Sequence, residues 1–228
     1  LTICDDPATE NDGFAQFNLT DLNTQILDGL DPANFTVSYY NTLEDAEAST
    51  NALATSFENT SNPQVIFARV DNDTTVEDQC YDITDVTLLV NLLPEFTLED
   101  SYTACVDVNG TELVPPTVME INLPASQYTY EWLDPTGALV ANTATYTPLM
   151  GGTYIAIATD IITGCRSEVT TQVIPSSPAT VEPIVTTEFF AEEAIIEVGV
   201  EGYGNYEYRL DNGPVSYTHL TLPTNCVV

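Results

Sequence analysis

The stretch "GTYIAIATDIITGCRSEVTTQVI" (152–174) decides how this chain is expected to fold. An apolar run alternates, an Asp-containing turn interrupts it, and a cysteine opens a second alternating run; period-two alternation on both sides of a turn is the signature of a β-hairpin. "PQVIFARVDNDTTVEDQCYDITDVTLLV" (63–90) repeats the plan, again with a cysteine near the start of the return strand. Upstream of each hairpin, "FTVSYYNTLEDAEAS" (35–49) and "YTYEWLDPTGALVAN" (128–142) supply an aromatic-rich strand followed by a polar turn. "YGNYEYRLDNGP" (203–214) begins a third copy. Self-similarity at this spacing marks an array of modules.

Working outward, strands are expected at 14–19, 35–41, 64–71, 81–91, 117–123, 128–134, 153–159, 167–174 and 194–200, which are rich in Val, Ile, Thr, Tyr and Phe and bounded by Gly, Pro, Asn or Asp. Two segments, 20–30 and 42–54, read as short helices inserted on a β frame, with Leu22, Ile26 and Leu27 on one face of the first behind Asp21 as cap. Many short strands without a βαβ rhythm give an all-β chain of tandem immunoglobulin-like antiparallel β-sandwich modules. Prolines in "LLPEF" (92–96) and "PSSPATVEP" (175–183) place boundaries near 94 and 176, the second stretch reading as a semi-rigid spacer. The expected organisation is a first module at 1–94 with the helical insertions, a second at 95–176, and a truncated third at 177–214.

Residues 215–228 stand apart. "VSYTHLTLPT" (215–224) matches, residue for residue, one reading frame of a transposase-end sequencing adapter (GTC TCT TAT ACA CAT CTG ACG CTG CCG ACG), so this tail, with its His219 and Cys226, reads as adapter read-through. Without it the chain holds four cysteines and no histidine.

Those four are Cys4, Cys80, Cys105 and Cys165, none in a C-x-x-C pair. Four cysteines allow three pairings, and only Cys4–Cys80 with Cys105–Cys165 keeps each link inside one sequence block. That pairing is the expectation, and an oxidising, exported compartment follows from it. In the second block the order Cys105, Trp132, Cys165 resembles the immunoglobulin pattern of a core Trp against an inter-sheet disulfide, but Cys165 lies past a hairpin turn, and Thr163 stands where that pattern has Tyr.

The 228 residues carry 35 acidic side chains against three basic ones, Arg69, Arg166 and Arg209, for a net charge of −32. Phosphate backbones and anionic lipid both demand Lys and Arg contacts this chain cannot supply, so nucleic acid and direct membrane insertion are excluded as partners. Catalysis is not expected. There is no lysine and only the tail histidine to serve as base, no Gly-rich phosphate loop and no H-E-x-x-H, and among 35 acids no carboxylate pair singles itself out.

Two surfaces are candidates for binding. Asp71, Asp73, Glu77 and Asp78 in "DNDTTVED" (71–78) present carboxylates at a hairpin tip and form the one candidate site for a cofactor, calcium, though the glycine and closing glutamate of an EF-hand loop are missing and a solvated acidic turn is the simpler reading. Tyr39, Tyr40, Tyr128, Tyr130 and Trp132 would stack on sugar rings if they lay on the outer face, whereas strand aromatics more often pack inward or across strands. N-glycosylation patterns occur at Asn18, Asn34, Asn59, Asn72 and Asn109.

The hairpin "GTYIAIATDIITGCRSEV", the strand "YTYEWLDPTGALV" and the fragment "YGNYEYRLDNGP" resemble repeats of the very large cell-surface proteins of gliding and marine Bacteroidetes. "ICDDPATENDGFAQFNLTDLNTQIL" with "VSYYNTLEDAEA" resembles another repeat type of the same proteins, so the resemblance spans residues 1 to about 214. It implies a fragment of a secreted or surface-anchored adhesin, exported by the type IX secretion system and outer-membrane associated in the parent protein. Stalk and contact modules of this kind serve attachment or gliding, with a polysaccharide or another cell-surface protein as the surface ligand. The alternative from another class is an accessory carbohydrate-binding or spacer module of a secreted polysaccharide-degrading enzyme.

Overall fold

The computed structural model describes residues 1–8, 11–74, 80–107, 109–114, 118–185, 196–204 and 206. The chain divides into two compact units: Leu1–Pro94 together with Ile162–Ser167, and Glu95–Ile161 together with Glu168 onward. Strands dominate both, and each is an immunoglobulin-like β-sandwich.

In the first unit the elements run β1 (Thr2–Cys4), β2 (Gln16–Asn18), a 3-10 turn (Leu19–Leu22) leading into α1 (Asn23–Leu27), β3 (Phe35–Tyr40), α2 (Leu43–Ala48), β4 (Ser56–Glu58), β5 (Gln64–Asn72) and β6 (Tyr81–Asn91). One sheet has the order β1-β6-β5-β3, and β2 pairs with β4 in the other. The hairpin read from sequence is β5–β6, in antiparallel register from Gln64 opposite Leu88 to Asp71 opposite Tyr81. Its alternation puts Ile66 and Ala68 on one strand, and Val86, Leu88 and Val90 on the other, into a core closed by Phe17, Leu19, Leu22 and Tyr39. Both helices form as expected, but shorter. Asn18, not Asp21, caps the 3-10 turn by accepting from the Thr20 amide, while Thr42 caps α2 by accepting from the Asp45 amide.

The second unit holds β7 (Ser101–Val106), β8 (Glu112–Val114), β9 (Met119–Glu120), β10 (Tyr128–Leu133), β11 (Leu139–Ala141), β12 (Thr145–Tyr146), β13 (Gly152–Asp160) and β14 (Arg166–Ser176). Its main sheet has the order β11-β10-β13-β14-β7-β8, and β9 pairs with β12. Trp132, fully buried, tilts against the Tyr146 ring at 5.9 Å and donates from Nε1 to the Thr143 carbonyl at 2.9 Å. Tyr130, Tyr154, Met119 and Ile121 complete this core. Trp132 thus packs against aromatic rings where the immunoglobulin pattern has a disulfide.

The two units share one topology. The first strand (β1 or β7) lies parallel to the last (β6 or β14), which is antiparallel to its hairpin partner (β5 or β13), next to which lies the aromatic strand (β3 or β10). Two features of this plan were not expected from sequence: the parallel first-to-last pairing, and the absence of a spacer at 175–183. β14 runs to Ser176 with Pro175 opposite Ala104, and Thr180–Val185 forms β15, antiparallel to β16 (Ile196–Glu201) with Pro183 opposite Val198. Proline removes a donor but is tolerated in a ladder where its missing N–H faces away from the partner. Much of the expected third module and all of the expected tail lie outside the described residues.

Candidate functional site

The cysteines are placed by the sheet. Cys4 is the last residue of β1 and stands opposite Asn91, the last residue of β6. Cys80 lies just ahead of Tyr81, the first residue of that same strand. Because β6 is 11 residues long, the two are separated by roughly 35 Å of extended strand. A disulfide needs Cα atoms within about 7 Å. The expected Cys4–Cys80 pair therefore cannot form, and the same geometry excludes Cys105–Cys165: Cys105 stands opposite Ser176 at the end of β14, and Cys165 precedes Arg166 at its start.

The bond that does form is Cys4–Cys165, with a Cα–Cα distance of 5.5 Å and a sequence separation of 161. Cys165 is fully buried, and the turn that carries it, Ile162–Ser167, groups with the first unit. The Ser167 hydroxyl donates to the Pro94 carbonyl.

Around Cys4, asparagine side chains do the work of missing strands. Asn62 donates to the Val90 carbonyl at 2.7 Å and accepts from the Val90 amide at 2.9 Å. Asn11 makes the same reciprocal pair with Leu93, at 3.1 and 2.8 Å. Buried Asp5 donates its amide to the Asn91 carbonyl and accepts the Gly13 amide on Oδ2 at 2.7 Å. Buried Asn59 links Gly13 to Ala15, donating to the Gly13 carbonyl and accepting the Ala15 amide, both at 2.8 Å. Each amide side chain offers one donor and one acceptor with the spacing of a peptide group, which satisfies backbone polar groups where no strand reaches.

The acidic tip reads differently in three dimensions. Asp71 turns inward to Arg69, which is only 2% exposed, and both carboxylate oxygens accept from its guanidinium at 2.7 to 3.0 Å. The same guanidinium donates to the Ala46 and Glu47 carbonyls at the end of α2 and lies 3.6 Å from the Tyr81 ring centroid. Hydrogen bonding to Asp71 holds the guanidinium further above its ordinary pKa. Asp73 accepts the Thr36 hydroxyl at 2.7 Å. Both carboxylates of the expected calcium pair are thus engaged by the protein, while Glu77 and Asp78 lie outside the described residues. Among the described residues, no three His, Cys, Asp or Glu side chains converge.

The aromatic platform is likewise internal. Tyr39, Tyr40, Tyr130 and Trp132 are buried and Tyr128 is half-buried, so the faces that would stack on sugar are already packed. Asn59, one of the glycosylation-pattern residues, is buried as well.

Half-buried acids are used in turns. Asp134 accepts the Thr136 hydroxyl at 2.6 Å and the Thr136 and Ala138 amides, closing a turn in which Gly137 takes φ +82°. Asp107 accepts the Thr111 and Asn109 amides, and Asp45 accepts from Asn51 and Thr42. These hydrogen bonds favour the ionised form and lower all three carboxyl pKa values.

Arg69, Asn11 and Asn62 were not anticipated. An arginine within the apolar run "VIFARV" in a chain with three basic residues is a signal that could have found the first. Nothing in the sequence marks the two asparagines.

No curated protein matches the chain. Among solved structures, mouse cadherin-23 EC22–24 is similar at 15% identity over 87% of this chain and 69% of that one, with a TM-score of 0.25. Residues 1–94 match the family described as the Flavobacterium inter-domain disulphide bond domain. That match and the Cys4–Cys165 bond fit a modular, disulfide-linked extracellular protein.

Proposed function

We propose that this chain is a segment of a secreted or surface-anchored bacterial adhesin, a stalk whose modules also contribute contact surface in attachment or gliding, with no catalytic role. The observation that carries the reading is the disulfide from the end of the first strand of one repeat to the hairpin turn of the next, in a segment matching a flavobacterial domain family. A covalent tie across 161 residues suits a protein under load, because the residues it encloses cannot extend while it is intact. Burial of the tyrosines and Trp132 supports a stalk over a dedicated sugar-stacking module. The acidic surface keeps such a chain soluble and directs it to ligands other than polyanions, a polysaccharide or another cell-surface protein. Export by the type IX secretion system and outer-membrane association of the parent protein belong to the same reading.

Beads coated with the full chain and passed over polysaccharide-coated and bacterial-cell-coated surfaces under flow provide the test. Retention on at least one surface, released by excess soluble chain, is expected. Retention no greater than that of beads carrying an unrelated acidic protein would overturn the adhesin reading.

A further inference from the structure

In the first unit β6 runs for 11 residues, but β1 pairs with it only at Leu89, Val90 and Asn91. Its edge from Tyr81 to Thr87 carries no strand among the described residues. The Asn72 amide donates to the Cys80 carbonyl, so the alternation of an antiparallel ladder turns the even-numbered backbone groups of β6 toward β5 and the odd-numbered ones toward the open edge. There the Leu1 amino group donates to the Thr87 carbonyl and the Leu89 amide to the Leu1 carbonyl, while the Ile83 amide donates to the Asp82 side chain. The Asp85 and Thr87 amides and the Ile83 and Asp85 carbonyls are left without a partner among the described residues. Beside them lies a groove of about 670 Å³, lined by Leu22 and Ile26 across from Ala68, Val70, Thr84 and Val86.

In the second unit the same edge is filled. Cys105 stands opposite Ser176 as Cys4 stands opposite Asn91, which puts Gln172 in the place of Thr87 and Tyr102 in that of Leu1. The Gln172 amide, equivalent to the unpartnered Thr87 amide, donates to the Asp100 carbonyl at 3.2 Å, and the Thr171 hydroxyl donates to the Glu99 carbonyl at 2.7 Å. The stretch ahead of β7 alternates, with Phe96 and Leu98 half-buried against the core and Glu95, Thr97 and Glu99 exposed. An extended lead-in segment thus completes this core before the first strand begins.

We propose that the β6 groove is a strand-addition site whose occupant is an extended segment entering the module at Leu1, parallel to β6, with apolar side chains at alternate positions. The proposal rests on the reading of the chain as a segment of a longer protein. Carrying the Thr2–Leu89 register backward sets the fourth residue before Leu1 beside Thr84 and the sixth beside Asp82, the positions that Leu98 and Phe96 hold relative to Tyr102. Both fall on the face that Val86 and Leu88 turn to the core, over Ala68 and Val70, which pair with Thr84 and Asp82. The backbone of the same segment meets the Asp85 and Thr87 amides and the Ile83 and Asp85 carbonyls, so one peptide satisfies both the polar edge and the apolar groove.

The test places a copy of residues 94–101 directly ahead of Leu1 in the full chain. Amide hydrogen exchange at Asp85 and Thr87, followed by NMR, is expected to slow by about tenfold relative to the original chain. Nuclear Overhauser contacts should join the added Phe96 and Leu98 side chains to the Ile26 and Val70 methyls. Phe96→Ser with Leu98→Ser in the added stretch alone should abolish both effects. Exchange at Asp85 and Thr87 as fast in the extended chain as in the original overturns the proposal, and so does equal protection by the serine variant, which would show that the groove plays no part. Protection in the original chain that grows with protein concentration would assign the edge to a second copy and overturn it as well. The Val86 and Leu88 amides, turned toward β5, report that the sheet stays folded; their loss of protection in the extended chain would mean that the segment disrupts the sheet instead of joining it, which also overturns the proposal. None of these readouts depends on adhesion, so they stand or fall apart from bead retention.

Discussion

Arg69 shows how a single side chain can decide the use of a whole loop. Its guanidinium is buried, so its charge must be compensated, and Asp71 does this while the α2 carbonyls take the remaining donors. The residue nearest to a calcium ligand in the sequence is thereby committed to an ion pair. Breaking a buried pair from one side leaves an uncompensated charge, so Asp71→Asn is expected to destabilise the first unit by about 3 kcal/mol. Urea unfolding followed by circular dichroism measures this, with Trp132 fluorescence reporting the second unit separately, since the only tryptophan lies there. A loss below about 1 kcal/mol, the range of an exposed pair, would mean that Asp71 is not compensating a buried charge.

At the scale of elements, short pieces of helix and strand are held by specific polar ties. Tyr39 on β3 is buried and donates to the Asn23 side chain, the first residue of α1, at 2.7 Å. Burial pushes its phenol up to about 12. The folded-state value lies above the ordinary tyrosine value of about 10, so the stability this group contributes is fully present below pH 10 and is lost as pH rises through 12. Tyrosinate absorbance should show a late-titrating class, and loss of α1 docking should accompany its ionisation in an amide-proton or circular dichroism titration. Tyr39→Phe is expected to remove that step; if it leaves the alkaline transition unchanged, Tyr39 is not the group responsible. The longer strands and both helices were legible at this scale because alternation and helical spacing of apolar residues are local signals. β1, β4, β7, β8, β11, β12 and β15 were not, being two to six residues long and too short to show a period of their own.

For the whole molecule, Cys4–Cys165 and the charge are the terms that act over long range. Closing a loop of 161 residues contributes about 5 kcal/mol by the loop-entropy treatment. Reduction, or Cys165→Ser, should therefore lower the melting temperature in scanning calorimetry, and an unchanged temperature under full reduction would show that the bond constrains nothing the unfolded chain explores. Reading the cysteines from sequence alone failed here for a topological reason. Pairing within a block is the economical choice along the chain, yet parallel pairing of first and last strands puts the two cysteines of a block at opposite ends of one strand. The repeated position near the start of the return strand, Cys80 and Cys165, was visible from the start; the first-strand position of Cys4 and Cys105 was not.

The sequence by itself determined that this is an acidic, repeated, all-β chain, because charge, composition and period-two alternation are properties of the residues in order. It also located both hairpins. Tertiary structure alone decided which cysteines meet, that Asp71 and the aromatics face inward, and that asparagine amides close the end of β6. Those outcomes depend on which strands lie side by side and in which direction, and alternation along one strand carries no information about either.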